Sequence, residues 1–436
     1  MSHTVLPVTA RVNDKGHLEI GGCDCVDLAD EYGTPLFVMD EEHIRGQCRR
    51  FLSAFSGRAV EAEVIYASKA FMSMAMCQLV RQEGLSLDVS SGGELYVALK
   101  SGFPPGKIFM HGNNKTEEEL RLALESGVGI IVADSFDELS LLDRLTGEYG
   151  KRQSILLRIT PGIKPDTHSY IQTGQVDSKF GFGLHDGIAL EAVKRALKLP
   201  NLHLKGIHAH IGSQICVLHS NAKAVEIIMA FLAQVREETG VTLGAFNAGG
   251  GLGIRYRVAD EPSTIEEFAD VILGGVEREA KKLDFPLSKV MVEPGRSIVG
   301  NAGVTLYRVG TIKEIPGVRT YVSVDGGMSD NLRPMLYGAV YEAHLANRMR
   351  DDKTDTGTIA GKHCDTGDVL VKDALLPRPQ IGDILAILAT GAYGYVMANN
   401  YNKQPRPAVV LVKGGEAKEI VSRETYEDLL RLEKPL

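Results

Sequence analysis

Between residues 64 and 295, short apolar runs alternate with turns rich in Gly, Asp or Asn and with amphipathic stretches. Short apolar runs bounded by turn residues are typical of buried strands. We interpret eight of them as strands, at 64–68, 85–89, 108–110, 130–133, 155–159, 204–210, 243–247 and 290–292. Eight strand–helix units predict an α/β fold with a closed, parallel (β/α)8 TIM-like barrel, and an open doubly wound sheet is the alternative.

Local signals predict two of the helices between these strands. Thr116 and Glu119 have the spacing of a capping box, and Gly127 stands where that helix should end. Apolar residues recur at helical spacing between 266 and 283. Both segments are therefore expected to be helices on the outside of the barrel.

After residue 300 the pattern changes to short β-prone runs separated by turns, at 305–309, 320–324, 368–371, 384–388 and 408–411. This pattern predicts a C-terminal antiparallel β-domain, with a helical patch at 341–349. The first 39 residues are also β-like. We therefore expect a barrel domain at 40–300 and a β-domain formed by 1–39 together with 301–436.

Polar residues and glycines follow directly after the predicted strands. In a (β/α)8 barrel the chemistry lies at the C-terminal ends of the strands. The candidates at these positions are Lys69, Asp88, His111, Asn113, Asp134, Arg158, His210, Gly249, Gly250, Gly251, Glu293 and Arg296.

Lys69 follows the apolar run Val64-Ile65-Tyr66 in uncharged surroundings. Partial desolvation lowers the pKa of such a lysine and makes its amine a nucleophile toward aldehydes. The alternative is a lysine whose stem lies along the strand end while its ammonium reaches water.

Three consecutive glycines, Gly249 to Gly251, form a turn whose backbone N–H groups could bind a phosphate. A tight structural turn is the alternative, and the spacing is not that of a dinucleotide-binding fingerprint. His208 and His210 lie on one face of a predicted strand. No nearby Cys or carboxylate completes a metal site, so we predict no metal and favour a histidine stacked on an aromatic cofactor, with Ser213 near its phosphate.

Glu293 ends the eighth predicted strand, where a carboxylate could keep a pyridine nitrogen protonated. An ion pair with Arg296 that closes the barrel is the alternative.

Cys364 is followed by Asp365 in a polar stretch, which indicates an exposed loop where a thiol can donate a proton. A buried cysteine that acts only as a small apolar residue is the alternative there.

Composition limits the classes of molecule that the protein could bind and the cellular compartment in which it is expected. The net charge of −8 and the lack of a basic cluster argue against nucleic acid and against an anionic membrane. Six scattered cysteines without a CxxC pair indicate free thiols in a reducing cytoplasm, and no export signal is visible at the start of the sequence. The uncharged stretch 384–402 contains glycines and asparagines, so we expect a buried strand that runs into a loop rather than a lipid-facing helix.

In combination, these segments resemble the diaminopimelate decarboxylases, which are pyridoxal-phosphate enzymes with an alanine-racemase-like barrel and a C-terminal β-domain. The resemblance covers roughly residues 25 to 412. The matching motifs are Tyr66-Ala-Ser-Lys69, Asp88-Val-Ser-Ser-Gly-Gly-Glu94, His111-Gly-Asn-Asn-Lys115, His208-Ala-His-Ile-Gly-Ser-Gln214, Gly249-Gly-Gly-Leu-Gly253, Glu293-Pro-Gly-Arg296, Arg333-Pro-Met-Leu-Tyr337 and Gly391-Ala-Tyr393-Gly-Tyr395.

The resemblance implies a role for each matching residue. Lys69 would hold pyridoxal 5′-phosphate covalently, His210 would stack on its ring and Glu293 would pair with the ring nitrogen. Asp88 would complete the cofactor site. The residues that would hold the phosphate are Ser213, Gly249, Gly250, Gly251 and Tyr393.

The resemblance also implies how an amino-acid substrate is bound. Arg296, Arg333 and Tyr337 would bind its carboxylates, with Tyr393 beside them. Cys364 and Asp365 would reach into the site of a neighbouring subunit, and Cys364 would donate a proton. The active enzyme would therefore be a homodimer with shared sites. We further expect residues 172–178 to act as a lid.

The implied reaction is decarboxylation of meso-2,6-diaminopimelate to L-lysine and CO2. The chain departs from the family at Asp365, where the family carries glutamate. A shorter carboxylate leaves open a related decarboxylase that acts on ornithine, a siderophore intermediate or a carrier-bound aminoacyl group. Arg333 favours a substrate with a distal carboxylate, because a desolvated arginine without a partner is costly. A catalytically silent relative is the alternative from another class.

Overall fold

The computed structural model describes residues 5–163, 177–185 and 187–436. The expected lid at 172–178 lies largely outside the described residues. None of the helices in the described part of the chain combines the length with the apolar composition that crossing a bilayer requires.

The chain forms two compact units. We call them the β unit and the barrel unit. The β unit comprises Met1–Gln47, Ile254–Glu261 and Arg296–Leu436, and the barrel unit comprises Cys48–Gly253 and Pro262–Gly295.

The strands in chain order are β1 (Arg11–Val12), β2 (Leu18–Ile20), β3 (Cys23–Asp24), β4 (Leu36–Asp40), β5 (Glu61–Ala67), β6 (Ser86–Val89), β7 (Ile108–Met110), β8 (Ile130–Ala133), β9 (Gln153–Thr160), β10 (Phe182–Gly183), β11 (Leu202–His208), β12 (Ala245–Asn247), β13 (Lys289–Val292), β14 (Gly303–Ile315), β15 (Arg319–Val324), β16 (Ala343–Leu345), β17 (Asp355–Ala360), β18 (Val369–Leu376), β19 (Ile384–Ile387), β20 (Ala408–Lys413) and β21 (Glu416–Val421).

The α-helices are α1 (Cys25–Tyr32), α2 (Glu41–Ala54), α3 (Met74–Gln82), α4 (Gly92–Lys100), α5 (Glu117–Ser126), α6 (Phe136–Glu148), α7 (Ile188–Ala196), α8 (His219–Thr239), α9 (Ile265–Lys282), α10 (Arg296–Val299), α11 (Arg333–Tyr337) and α12 (Tyr426–Leu430).

The barrel unit contains a closed sheet of eight parallel strands, in the order β5, β6, β7, β8, β9, β11, β12 and β13. Pairing of β13 with β5 and of β8 with β9 closes the ring. This closure confirms the predicted barrel and excludes the open doubly wound sheet. All eight predicted strands are present. The side chains that fill one buried layer come from six of them, namely Ile65, Phe109, Val132, Leu156, Ala245 and Met291.

The predicted helix signals are confirmed. The Thr116 side chain accepts from the Glu119 N–H and Glu119 reaches back to the Thr116 N–H, so the first turn of α5 is capped on both sides. Gly127 ends α5 with φ of 77°, a left-handed conformation that glycine adopts at no steric cost. The amphipathic stretch at 266–283 is α9, which buries the face that carries Phe268 and Ile272.

The β unit contains a second large sheet, in the order β18, β17, β15, β14, β4, β20 and β21, with β19 paired to β14 and β16 paired to β19. Most neighbours are antiparallel, but β15 pairs with β17 and β4 pairs with β20 in parallel. The N-terminal strand β4 therefore lies in the middle of a sheet built mostly from the C-terminal part of the chain.

The predicted helical patch at 341–349 is wrong. Ala343–Leu345 forms β16, which pairs antiparallel with β19, and the helix in this region is the short α11 earlier in the chain. Cross-strand pairing and burial outweigh a weak local helix signal at such positions. The uncharged stretch at 384–402 forms β19 and then a loop with two 3-10 turns, as predicted.

Candidate active site

Lys69 lies in the 3-10 turn Ser68–Ala70, directly after β5. The Ser68 N–H at the start of this turn donates to Asp88 Oδ1 at 3.1 Å, which ties the turn to the end of β6. Burial raises the pKa of Asp88 to about 8, although the nearby Lys69 acts to lower it. The turn thus holds a half-buried amine close to a fully buried carboxyl group at the C-terminal end of the barrel.

Glu293 is the centre of a buried hydrogen-bonding cluster. Its Oε1 lies 2.8 Å from His111 Nε2 and accepts from Asn247 Nδ2 at 2.7 Å, and its Oε2 lies 3.1 Å from His208 Nε2. Burial alone would raise the pKa of Glu293, but the two imidazoles hold it well below its ordinary value. A carboxylate offers about four acceptor positions, so one remains for a further N–H donor.

The histidines of this site are held in their neutral form. Burial lowers the pKa of His208 to about 4 and also lowers that of His111. Burial, reinforced by the charge of Lys69, lowers the pKa of His210 well below its ordinary value. The Gly250 N–H donates to His210 Nδ1 at 3.2 Å, which fixes the ring orientation. His210 therefore offers a flat, uncharged ring next to the glycine turn.

The glycine turn has no room for side chains. A Cβ on Gly249 would lie 2.8 Å from His210 Nδ1, and one on Gly250 would lie 2.0 Å from the Glu293 carbonyl oxygen. Gly251 has φ of 105°, and a Cβ there would lie 2.4 Å from the carbonyl oxygen of Gly212. Close packing of the turn against its neighbours requires all three glycines, so the structural explanation of the motif holds and is compatible with a phosphate-binding backbone.

The sequence analysis considers a metal site at His208 and His210 and predicts none. In the structure, a different set of three residues has its potential metal-ligand atoms close together. Ligand atoms of His111, His208 and Glu293 lie within 4.8 Å of one another. The carboxylate already hydrogen-bonds with His208 and Asn247, and His111 Nε2 lies 2.8 Å from it, so contacts within the protein account for the arrangement.

The donor set fits pyridoxal 5′-phosphate. Within the described residues, Asp88 Oδ2 and Ser68 Oγ are buried without a hydrogen-bond partner, next to the lysine turn. Buried polar atoms of this kind are uncommon unless a ligand or water satisfies them. A pyridine ring that carries an aldehyde requires three groups around it. These are an amine that binds the aldehyde, an ionised carboxylate with a free acceptor position for the ring nitrogen, and a neutral flat ring that stacks on the pyridine.

In the β unit, Arg296 begins α10 and Arg333 begins α11. Both donate to the hydroxyl of Tyr256, Arg333 at 2.9 Å. Arg333 also donates to Tyr341, and burial raises the pKa of Tyr341 to about 12 against the influence of Arg333. The Arg296 guanidinium lies 4.8 Å from the ring centre of Tyr393.

Tyr337 ends the helix that Arg333 begins, and its side chain is half-buried. Tyr393 has φ of 58°, a conformation that non-glycine residues adopt at an energetic cost. The fold of the β unit thus lets Arg296 and Arg333, which are predicted to bind substrate, donate to the same hydroxyl group. Tyr393 lies beside Arg296.

Cys364 is exposed, as predicted, on the loop between β17 and β18. Its N–H donates to Asn402 Oδ1 at 2.9 Å. The neighbouring His363 is buried, lies 2.7 Å from Asp368 and stacks on Tyr401 with ring centres 5.8 Å apart. The loop that presents the thiol is therefore anchored on both sides.

Asp365 forms an Asx turn, in which its Oδ1 accepts from the Gly367 N–H at 2.8 Å. This local bond suits the short aspartate side chain. Asp365 therefore stabilises the loop.

The sequence analysis does not identify three residues that contact the candidate site residues. They are Asn247, which donates to Glu293, and Tyr256 and Tyr341, which accept from Arg333. The position of Asn247 next to the glycine turn was a usable signal, since strand ends collect active-site residues. No sequence signal connects Tyr256 with Tyr341.

Comparisons with known proteins show which family the chain matches. Residues 41–300 match the family described as pyridoxal-dependent decarboxylase, pyridoxal binding domain. The chain is 52% identical to a diaminopimelate decarboxylase of Bacillus subtilis (98% of this chain, 97% of the relative) and 51% identical to one of Halalkalibacterium halodurans (98% of both). A crystal structure of the enzyme from M. jannaschii in complex with L-lysine has a TM-score of 0.92 at 37% identity and covers 98% of each chain.

The barrel with its lysine turn and buried glutamate, together with these matches, makes the chain a pyridoxal-phosphate-dependent amino-acid decarboxylase. Pyridoxal 5′-phosphate is its cofactor. Within that class, the chain belongs to the diaminopimelate decarboxylase family.

Proposed function

We propose that this enzyme converts meso-2,6-diaminopimelate to L-lysine and CO2. The observation that carries the proposal is the Glu293 cluster, an ionised carboxylate held by two neutral imidazoles close to the Lys69 turn. The names of relatives at 51% and 52% identity support the choice of substrate.

The barrel residues hold the cofactor. Lys69 Nζ would bind its aldehyde carbon, and the free acceptor position on Glu293 would receive the N–H of its ring. His210 would stack on the ring, and Asp88 would hold the Lys69 amine in place. The bound cofactor supplies an electron sink for the carbon–carbon bond that breaks. Glu293 strengthens that sink because its low pKa keeps it ionised.

The phosphate group would be bound by backbone N–H groups of the glycine turn at Gly249, Gly250 and Gly251. Ser213 and Tyr393 would add hydroxyl donors. Rigid backbone donors stabilise an anion without a loss of side-chain entropy.

Arg296 and Arg333 would bind the carboxylates of the substrate. Tyr337 and Tyr393 would contact the same carboxylates. No carboxylate among the described residues ion-pairs with Arg333. A buried guanidinium in this state favours a substrate that brings its own anion.

Cys364 Sγ would donate the proton that replaces the lost carboxylate, and Asp365 would contact the distal ammonium group. We propose that both act in the site of a second copy of the chain, so that the enzyme is a homodimer. Exposed apolar side chains of Met335 and Leu336 in α11, and of Val340 just after it, support an interface there. Six free thiols support a cytoplasmic location.

The decisive experiment measures CO2 release from meso-diaminopimelate, ornithine, lysine and arginine side by side. We expect turnover of diaminopimelate alone, and none by Lys69→Ala with any substrate. Preference for another of the four would refute the proposed substrate, and full activity of Lys69→Ala would refute the mechanism.

A decarboxylase for an ornithine-like substrate is the second candidate. The observation that favours it is Asp365, which is shorter than the family's glutamate and already engaged with the Gly367 N–H. Preferred turnover of ornithine in the same assay would support this candidate.

A further inference from the structure

Tyr256 lies between the two buried arginines of the β unit. Its hydroxyl oxygen accepts from Arg296 and, at 2.9 Å, from Arg333, and Arg333 donates in addition to Tyr341. All four of these residues are buried, with at most 7% of the surface of each exposed. We call them the arginine–tyrosine cluster.

The cluster carries two positive charges in a place from which water is largely excluded. A guanidinium has five N–H donors, and the two phenols that contact Arg333 satisfy only part of that capacity. Because a buried cation without a counter-charge is costly, and no described carboxylate pairs with Arg333, this guanidinium is suited to receive an anion.

Tyr256 makes a distinct contribution to this receptor. A phenol oxygen can accept two hydrogen bonds and donate one. The two arginines use both acceptor positions, and no described residue accepts the Tyr256 proton. The ring itself is held edge-on against Tyr341, with centres 5.3 Å apart and planes at 86°.

We propose that Tyr256 is a positioning residue that sets specificity for substrates with a second carboxylate. By bridging Arg296 and Arg333, its hydroxyl fixes the relative orientation of two guanidinium groups that otherwise have many rotamers. The pair then binds one carboxylate as a unit. The inference rests on the proposed function, because it requires that these arginines contact the substrate.

The test compares two ligands in cofactor-loaded protein. L-Lysine retains one carboxylate, whereas 1,5-diaminopentane has the same chain and amines without it. Binding of each is followed through the absorbance of the cofactor and as competitive inhibition. In Tyr256→Phe we expect L-lysine to bind about tenfold more weakly, and 1,5-diaminopentane to bind within about twofold of wild type.

Tyr307→Phe is the matched control, because Tyr307 is a buried tyrosine of the same unit whose hydroxyl has no hydrogen-bond partner among the described residues. It should change binding of neither ligand. Equal weakening of both ligands in Tyr256→Phe, or of neither, would overturn the inference.

Tyr341→Phe provides a second variant in case Tyr256→Phe does not fold. It removes only one of the hydrogen bonds of Arg333, so a smaller loss that is still selective for L-lysine is expected, and an unselective loss counts against the inference. Failure of the proposed function is seen separately, as a wild-type protein that releases no CO2 from meso-diaminopimelate.

Discussion

Replacing His208 with a residue that does not titrate should make the free energy of unfolding of the cofactor-free protein less dependent on pH. The folded state keeps His208 neutral down to about pH 4, whereas an unfolded histidine takes up its proton near pH 6.5. The unfolded state therefore binds more protons between these values, so stability falls as pH falls through this window. Depression of the pKa of Glu293 acts in the same direction below about pH 4.5.

The magnitude follows from the two pKa values. The full difference corresponds to about 3 kcal/mol, of which about 2 kcal/mol is already lost on going from pH 7.5 to pH 5. In His208→Gln the side chain retains an N–H donor for Glu293 but no longer titrates. We expect the free energy of unfolding of this variant to fall by about 2 kcal/mol less than that of wild type over the same interval.

Urea unfolding followed by far-UV circular dichroism suits this measurement, since the chain contains no tryptophan. His219→Gln is the matched control, because it makes the same exchange at an exposed position at the start of α8, outside the Glu293 cluster. Parallel pH curves for wild type and His208→Gln would refute the reasoning.

Three further predictions concern the substrate, the assembly and the fold. Asp365→Glu should lose its Asx turn and change turnover of diaminopimelate only modestly; a large gain in kcat/KM for that substrate would mean that the native substrate is a different one. Mixing inactive Lys69→Ala with Cys364→Ala should restore about a quarter of wild-type CO2 release if sites are shared between subunits, and no recovery would contradict the shared site. Thr116→Ala should lower the free energy of unfolding by about 1 kcal/mol in urea titrations, because α5 loses its capping box; an unchanged midpoint would contradict that role.

The sequence alone determined the parts of this protein that depend on local patterns. Eight apolar runs located eight barrel strands, and Thr116 with Gly127 located the two ends of α5. Strand ends also predicted where Lys69, Asp88 and Glu293 would lie, because parallel strands in a barrel all end on one side.

Tertiary structure decided what depends on residues far apart in the chain. Glu293 meets Asn247 and His208 from 46 and 85 positions away, and Tyr256 meets Arg296 and Arg333 from 40 and 77 positions away. No periodicity encodes such contacts.

The same distinction explains the wrong helix at 341–349 and the charges of the site. Strand β16 exists because β19 lies beside it, and a window of local sequence does not contain its partner. The low pKa of His208 and the high pKa of Asp88 arise from burial, which is a property of the folded barrel. The sequence therefore identified candidate residues for the chemistry, and packing decided their ionisation states and their partners.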